Sequence, residues 1–244
     1  MTPSDVDAYL ARLGTTSRVL ADIHLAHLKS VPFENLSIHR GEPIVLDPAL
    51  LYAKIVGGHR GGFCYELNGL FAELLVALGH RVERLAARVY GKDGALGIPF
   101  DHMCLRVDDV WLADVGFGDS FITPLRLDNR QVQSDGRRTF RIADDGDGFI
   151  VEDDGKPAFR AERTPYALAD FEPGCAYHTT SPDSHFTRGS VVSRLTDDGR
   201  VTLRTGRLIE TRQGETKTGD KRETPVADQA EWNRLLAMHF GIRN

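Results

Sequence analysis

The spacing of apolar residues changes along the chain, from a helical period in the first third to short strand-like runs afterwards. Leu67, Leu70, Phe71, Leu74, Leu75 and Leu78 recur at i, i+3, i+4 and i+7, and Gly79 stops the run, which predicts a helix with one apolar stripe. Leu20, Ile23, Leu28 and Val31 repeat the spacing over roughly 17–30, ending near Pro32. Thr2, Pro3 and Asp5 supply an N-cap, a proline at the first helical position and an acid in the first turn. After residue 82 the runs RLAARVY, HMCLRV and VWLADVGF are rich in β-branched and aromatic residues. Asp-Asp-Gly at 144–146, 153–155 and 197–199 punctuates them as hairpin turns. The polar segment 211–224 reads as a flexible excursion, and Trp232, Leu235, Leu236 and His239 mark a closing helix over 226–239. Helices first and strands later make the class α+β.

Composition narrows what such a chain does. With 244 residues and 41% hydrophobic content it buries a sizeable core, which excludes general disorder. A net charge of -5 offers no basic surplus for a nucleic-acid backbone. No stretch approaches the 18 or so apolar residues of a membrane span, and the opening residues lack the pattern of a signal peptide, so a cytoplasmic location without membrane partners is expected. The three cysteines, Cys64, Cys104 and Cys175, are odd in number and contain no CxxC, against both a disulfide framework and a zinc ribbon. His24 and His27 share the stripe of the second helix with no further ligand nearby, so they read as packed core histidines, and no metal is expected.

Cys64 is the candidate nucleophile. It leads the stripe of Leu67 and Phe71, which puts it at a helix N-terminus pointing inward, where the dipole and free N–H groups lower a thiol pKa. Gly61 and Gly62 permit close approach to it. His102 and Asp114 are candidates for base and orienting acid. A two-residue turn at Asp108-Asp109 would pair Met103 with Asp114 and turn His102 to the other face. A three-residue loop, 107–109, instead opposes His102 to Asp114, with Asp109 left-handed. Cooperation between the two residues therefore requires an odd loop.

Five ordered motifs over about 155 residues resemble the arylamine N-acetyltransferase family. Arg60-Gly61-Gly62-Phe63-Cys64-Tyr65-Glu66-Leu67-Asn68 is similar to its RGGxCxExN signature, and Val31-Pro32-Phe33-Glu34-Asn35-Leu36 to its PFENL motif. Asp101-His102-Met103 resembles its histidine motif, Asp114-Val115-Gly116-Phe117-Gly118 its DVGFG motif, and the 180–186 segment its TSPxSxF motif. The resemblance implies Cys64 as nucleophile, His102 as base and Asp114 as its orienter. It also implies a helical bundle (1–82), a central β-barrel-like domain (83–190) and a C-terminal α/β lid (191–244), around a cysteine-protease-like catalytic core. The implied reaction is ping-pong: acetyl-coenzyme A acetylates the cysteine, and a small arylamine, arylhydrazine or arylhydroxylamine takes the acetyl group.

Other positions follow from the same motifs. Gly116, Gly118 and Phe186 are placed beside the coenzyme, and Phe117 and Phe186 in the aryl pocket. Glu34 and Arg60 are expected to form a buried ion pair bracing the loop before Cys64. Cys104 reads as core and Cys175 as a bystander. Because a Cys–His–Asp set alone does not specify the acceptor, the alternatives are an amide synthase releasing a polyketide or another acyl hydrolase or transferase.

Overall fold

The computed structural model describes residues 1–212 and 220–243. Helix α1 (Pro3–Leu13) begins at a reciprocal cap: Thr2 Oγ1 accepts the Asp5 N–H at 3.2 Å, and the Asp5 carboxylate accepts the Thr2 N–H at 2.8 Å. Helix α2 (Leu20–Ser30) follows, and strand β1 (Phe33–Glu34) leaves it through Pro32. Two short helices, α3 (Leu36–Arg40) and α4 (Pro48–Tyr52), precede the long helix α5 (Cys64–Ala77). Every α5 residue from Cys64 to Ala72 is buried. This first part of the helix is therefore enclosed on all sides, while Val76 near its end is exposed; α5 packs against Ile23 and Leu13 of the other helices and against Leu105 and Val115 of the sheet region. Polar residues within it, Glu66 and Asn68, must find partners inside the protein.

The central sheet contains eight antiparallel strands: β2 (Val82–Val89), β3 (His102–Val107), β4 (Trp111–Ala113), β5 (Leu125–Arg126), β6 (Gln133–Ser134), β7 (Thr139–Asp145), β8 (Gly148–Asp153) and β9 (Lys156–Tyr166). Their order is β5-β4-β3-β2-β9-β8-β7-β6, a near-barrel around Leu85, Cys104, Phe140, Phe149 and Phe159. All three Asp-Asp-Gly sequences lie at hairpin turns. Asp154 and Gly155, for example, take φ of 46° and 78° between Asp153 and Lys156, the left-handed pair that suits a right-twisted hairpin.

Helix α6 (Glu172–Thr180), which the apolar spacing does not mark, leads to a turn of 3-10 helix at His185–Thr187. A second sheet follows: β10 (Val191–Leu195), β11 (Gly199–Arg204), β12 (Arg207–Arg212) and β13 (Asp220–Pro225). Strand β1 completes it at the β10 edge, with Phe33 opposite Ser193 and Glu34 opposite Val192. The polar excursion expected over 211–224 is corrected here. Arg212 pairs with Asp220, so residues 211–212 and 220–224 are strand, and the middle of that segment lies outside the described residues. Polar character fails as a guide because a sheet edge with one solvated face accepts charged side chains. Helix α7 (Gln229–Phe240) covers the sheet through Leu235, Leu236 and Phe240. Among the described residues no helix is long and apolar enough to cross a membrane.

Candidate active site

The loop before α5 is shaped by contact with β1. A Cβ on Gly61 would stand 1.8 Å from the Pro32 carbonyl oxygen, and one on Gly62 would meet the Glu66 side chain at 2.7 Å. Gly61 thus admits the backbone at Pro32 and Gly62 the returning Glu66 side chain, and the Glu34 N–H donates to the Gly62 carbonyl at 2.8 Å. Glu34, fully buried, pairs with Arg60 at 2.9 Å and accepts the Leu36 N–H on its other oxygen at 2.7 Å. Glu66 turns back to accept the Phe63 N–H at 3.2 Å and holds Lys54 at 2.6 Å. The first turn of α5 is therefore tied down at both ends of its approach.

Cys64 opens that turn, 3% exposed. The helix terminus favours a thiolate, but burial acts more strongly, and the nearby carboxylates of Asp101 and Asp114 add to it. Together they push the thiol well above its ordinary range, while the Met103 N–H pulls it down. The acidifying helix end expected for Cys64 is thus opposed by burial. Burial disfavours the thiolate, the charged form of the group.

His102 begins β3, directly before the Met103 whose N–H reaches the sulfur. Its Nε2 lies 2.7 Å from Asp114 Oδ2, both side chains buried. Burial raises the Asp114 pKa, yet His102, Asn68 and the Gly116 N–H outweigh it and hold the carboxyl below its usual range. The ionised carboxylate accepts the Nε2–H, and the second ring nitrogen of His102 is Nδ1. The hairpin carrying the two residues has an odd loop, one step along from the register expected. Asp108 and Asp109 both have positive φ, 51° and 60°, and Val107 pairs with Trp111 past the extra residue Val110. His102 and Asp114 thus share a face, related diagonally rather than directly opposed.

Sequence reasoning missed what holds Asp114. Asn68 donates to Asp114 Oδ1 at 2.8 Å and to the Met103 carbonyl at 2.7 Å, and its Oδ1 accepts the Val115 N–H at 2.9 Å. From the other side His24 accepts the Asp114 N–H at Nε2 (3.2 Å) and bonds the Ile122 carbonyl through Nδ1 (3.2 Å). Burial drives His24 down to about 4, so it is neutral in this role. The i+4 spacing of Asn68 from Cys64 was the available signal, since it puts both on one helix face. For His24 no sequence signal pointed to Asp114.

The glycine and aromatic positions separate. Gly116 donates its N–H to Asp114 Oδ1 at 2.9 Å, so this amide serves the carboxylate instead of standing free for a phosphate. A Cβ at Gly116 would also sit 2.7 Å from Cys64 Cα. At Gly118, where φ is 93°, an added Cβ would meet only the Phe33 ring, at 3.9 Å. Phe117 stands edge-to-face on His102, centroids 5.1 Å apart. Phe186 packs on Phe33 and Phe63 at 5.9 and 5.8 Å, against the apolar cluster that holds Cys64. Phe117 instead packs on Phe159 of the near-barrel core, at 5.3 Å. Cys104 is buried inside the near-barrel. Cys175 shares the apolar cluster of Cys64, its thiol pushed up to about 12 by burial. Among the described residues no three His, Cys, Asp or Glu side chains group as metal ligands.

Comparison with known proteins gives this arrangement its class. A family model described as N-acetyltransferase matches residues 16–243. The arylamine N-acetyltransferase of Mycolicibacterium smegmatis is 37% identical over 232 residues, covering 87% of this chain and 84% of that protein. The structure of Salmonella typhimurium arylamine N-acetyltransferase matches with a TM-score of 0.90 at 30% identity, covering 99% of this chain and 92% of that one. The Mycobacterium marinum arylamine N-acetyltransferase, solved in complex with CoA, matches with a TM-score of 0.87 at 31% identity, covering 97% and 92%. The chain is thus an acetyl-transferring enzyme by fold and family model. It belongs to the arylamine N-acetyltransferase family.

Proposed function

We propose that the protein moves an acetyl group from acetyl-coenzyme A to a small aromatic amine or hydrazine in two half-reactions through Cys64. The observation that carries this reading is the buried pairing of His102 Nε2 with the Asp114 carboxylate at 2.7 Å, on the strand whose Met103 shares one apolar cluster with Cys64 at the start of α5. In the first half, the Cys64 sulfur attacks the thioester carbonyl while its proton passes to His102 Nδ1. Asp114 steadies the imidazolium. Collapse of the tetrahedral intermediate breaks the bond to the coenzyme sulfur, which leaves with the proton held on His102. One thioester replaces another, so this step is close to neutral in free energy.

In the second half, the uncharged acceptor nitrogen attacks the acetyl-cysteine carbonyl and loses a proton to His102. That proton returns to the departing Cys64 sulfur, and the amide forms downhill. Water is the competing acceptor. The buried rings of Phe63 and Phe159, with Phe117 and Phe186, favour an apolar aryl group over water beside the thioester.

The test is mass measurement of the intact protein after mixing with acetyl-coenzyme A alone. One added acetyl group, mapped to Cys64 and discharged by 4-methoxyaniline, is the expected result. An unmodified protein, or a Cys64→Ala protein that still acquires the group, overturns the assignment.

A further inference from the structure

A second carboxylate–imidazole chain lies beside the first. Asp101, which directly precedes His102, places Oδ1 2.8 Å from His178 Nε2. His178 Nδ1 lies 3.0 Å from Ser184 Oγ, and Ser184 Oγ accepts the Phe186 N–H at 3.2 Å. His178 and Ser184 are 3% and 2% exposed, so a break in the chain would strand buried polar atoms. Burial opposes ionisation of Asp101, but hydrogen bonds from His178 and the Val89 N–H outweigh it and keep the carboxyl below its ordinary range. The carboxylate therefore takes the His178 Nε2–H, and Nδ1 pairs with the Ser184 hydroxyl. Both ring nitrogens are then occupied within the protein, which suits a fixed strut.

The two ends of this chain matter. One end is the backbone step into His102. It is held under strain, with Phe100 at φ 56° and its carbonyl accepting the Tyr65 hydroxyl at 2.7 Å. The other end is the amide of Phe186, whose ring packs on Phe63, the neighbour of Cys64, and on His178 itself at 5.2 Å. Asp101, His178 and Ser184 also border an open groove of about 440 Å³, with the 89–98 segment on its other side.

We propose that Asp101, His178 and Ser184 form a positioning relay that holds the Phe186 wall in register with His102, and so sets affinity for the aryl acceptor without serving acylation of Cys64. The proposal rests on the transferase reading and adds the part of the protein that selects the acceptor. These three residues are positioning residues, since each acts through Phe186, with Asp101 as the fixed anchor of the chain.

The test compares wild type with His178→Phe, Ser184→Ala and Ser184→Thr, each first checked for an unchanged fold by near-ultraviolet circular dichroism. Three quantities are read: the alkylation rate of Cys64 by iodoacetamide, KM and kcat for 4-methoxyaniline, and KM for hydrazine, which carries no ring. In His178→Phe and Ser184→Ala the KM for 4-methoxyaniline is expected to rise about tenfold or more, with kcat, the hydrazine KM and the alkylation rate within about twofold of wild type. Ser184→Thr, which keeps the hydroxyl, restores the low KM. An unchanged arylamine KM overturns the proposal, as does a parallel loss for hydrazine and arylamine together with slowed alkylation, which would make the chain a support of Cys64 and His102. Should wild type alkylate at Cys64 but transfer no acetyl group, the transferase reading falls. Calorimetric binding of 4-methoxyaniline to Cys64→Ala, with and without His178→Phe, then decides the relay: weakening about tenfold supports it, and equal or undetectable binding overturns it.

Discussion

Asn68 Nδ2 lies 2.8 Å from Asp114 Oδ1, and Asn68 follows Cys64 by one helical turn, so the helix that carries the thiol also aims the acid behind the base. The same amide group satisfies the Met103 carbonyl and the Val115 N–H, which joins α5, β3 and the 114–116 loop at one side chain. Truncation to Asn68→Ala leaves these groups buried without partners and is expected to cost about 1–3 kcal/mol of folding stability. Loss of aim at Asp114 is expected to lower kcat by about tenfold or more, a barrier change of about 1.4 kcal/mol. Urea unfolding and steady-state kinetics read the two separately. A variant with normal kcat would show that His24 and Gly116 orient Asp114 unaided.

The two glycines of the 114–118 segment are expected to differ in response to one methyl group. In Gly116→Ala the added Cβ meets Cys64 Cα and Asn68 Nδ2 at 2.7 Å, atoms of a buried backbone and a fixed amide. A loss of at least about 2 kcal/mol, with collapse of activity, follows from such overpacking. In Gly118→Ala the space is open, and the cost is only that of φ 93°, about 1–2 kcal/mol. Equal melting temperatures for the two variants would contradict this ranking.

Thiol reactivity offers a direct view of who takes the Cys64 proton. Burial and the carboxylates of Asp101 and Asp114 hold the thiol high, so on its own it carries little thiolate at pH 7. His102→Gln is expected to slow alkylation by iodoacetamide at pH 7 by at least about tenfold, with recovery only at pH values above the ordinary thiol range. If the variant alkylates as fast as wild type, another group ionises the sulfur.

His24 makes the fold sensitive to acid. Its folded pKa, about 4, lies below the unfolded value of 6.5, chiefly through burial. Its contribution is therefore fully present above pH 6.5 and is lost as pH falls from 6.5 towards 4, by up to about 3 kcal/mol. In His24→Gln, whose side chain cannot gain a proton in this range, urea midpoints are expected to fall less steeply between pH 6.5 and 5 than in wild type. Parallel curves would assign the acid sensitivity to other groups.

Several features were legible because they depend on neighbours in sequence. The Thr2–Asp5 cap, the helix carrying Leu67 to Leu75 and the Asp-Asp-Gly hairpins are set by local backbone preference and apolar period. The odd loop between His102 and Asp114 was legible for the same reason, since parity along a strand decides the face. Its register was displaced by Val110, an extra residue after the Asp108-Asp109 turn that parity alone does not count. The strand character of residues 220–224 was hidden because its exposed edge tolerates charge.

Residue order was enough to assign the main element types, the α+β class and, through five ordered motifs, the family and the identity of Cys64, His102 and Asp114 as the residues to inspect. How those groups are held and charged emerges only in the folded chain. Residues separated by 46 and 90 positions, Asn68 and His24, close on Asp114, and a residue 77 positions from Asp101 closes on its carboxylate. Desolvation likewise arises from the whole surrounding shell, and it reverses the thiol pKa that a helix terminus alone would set. Local pattern carries backbone conformation, whereas electrostatic environment and hydrogen-bond satisfaction are sums over everything packed nearby.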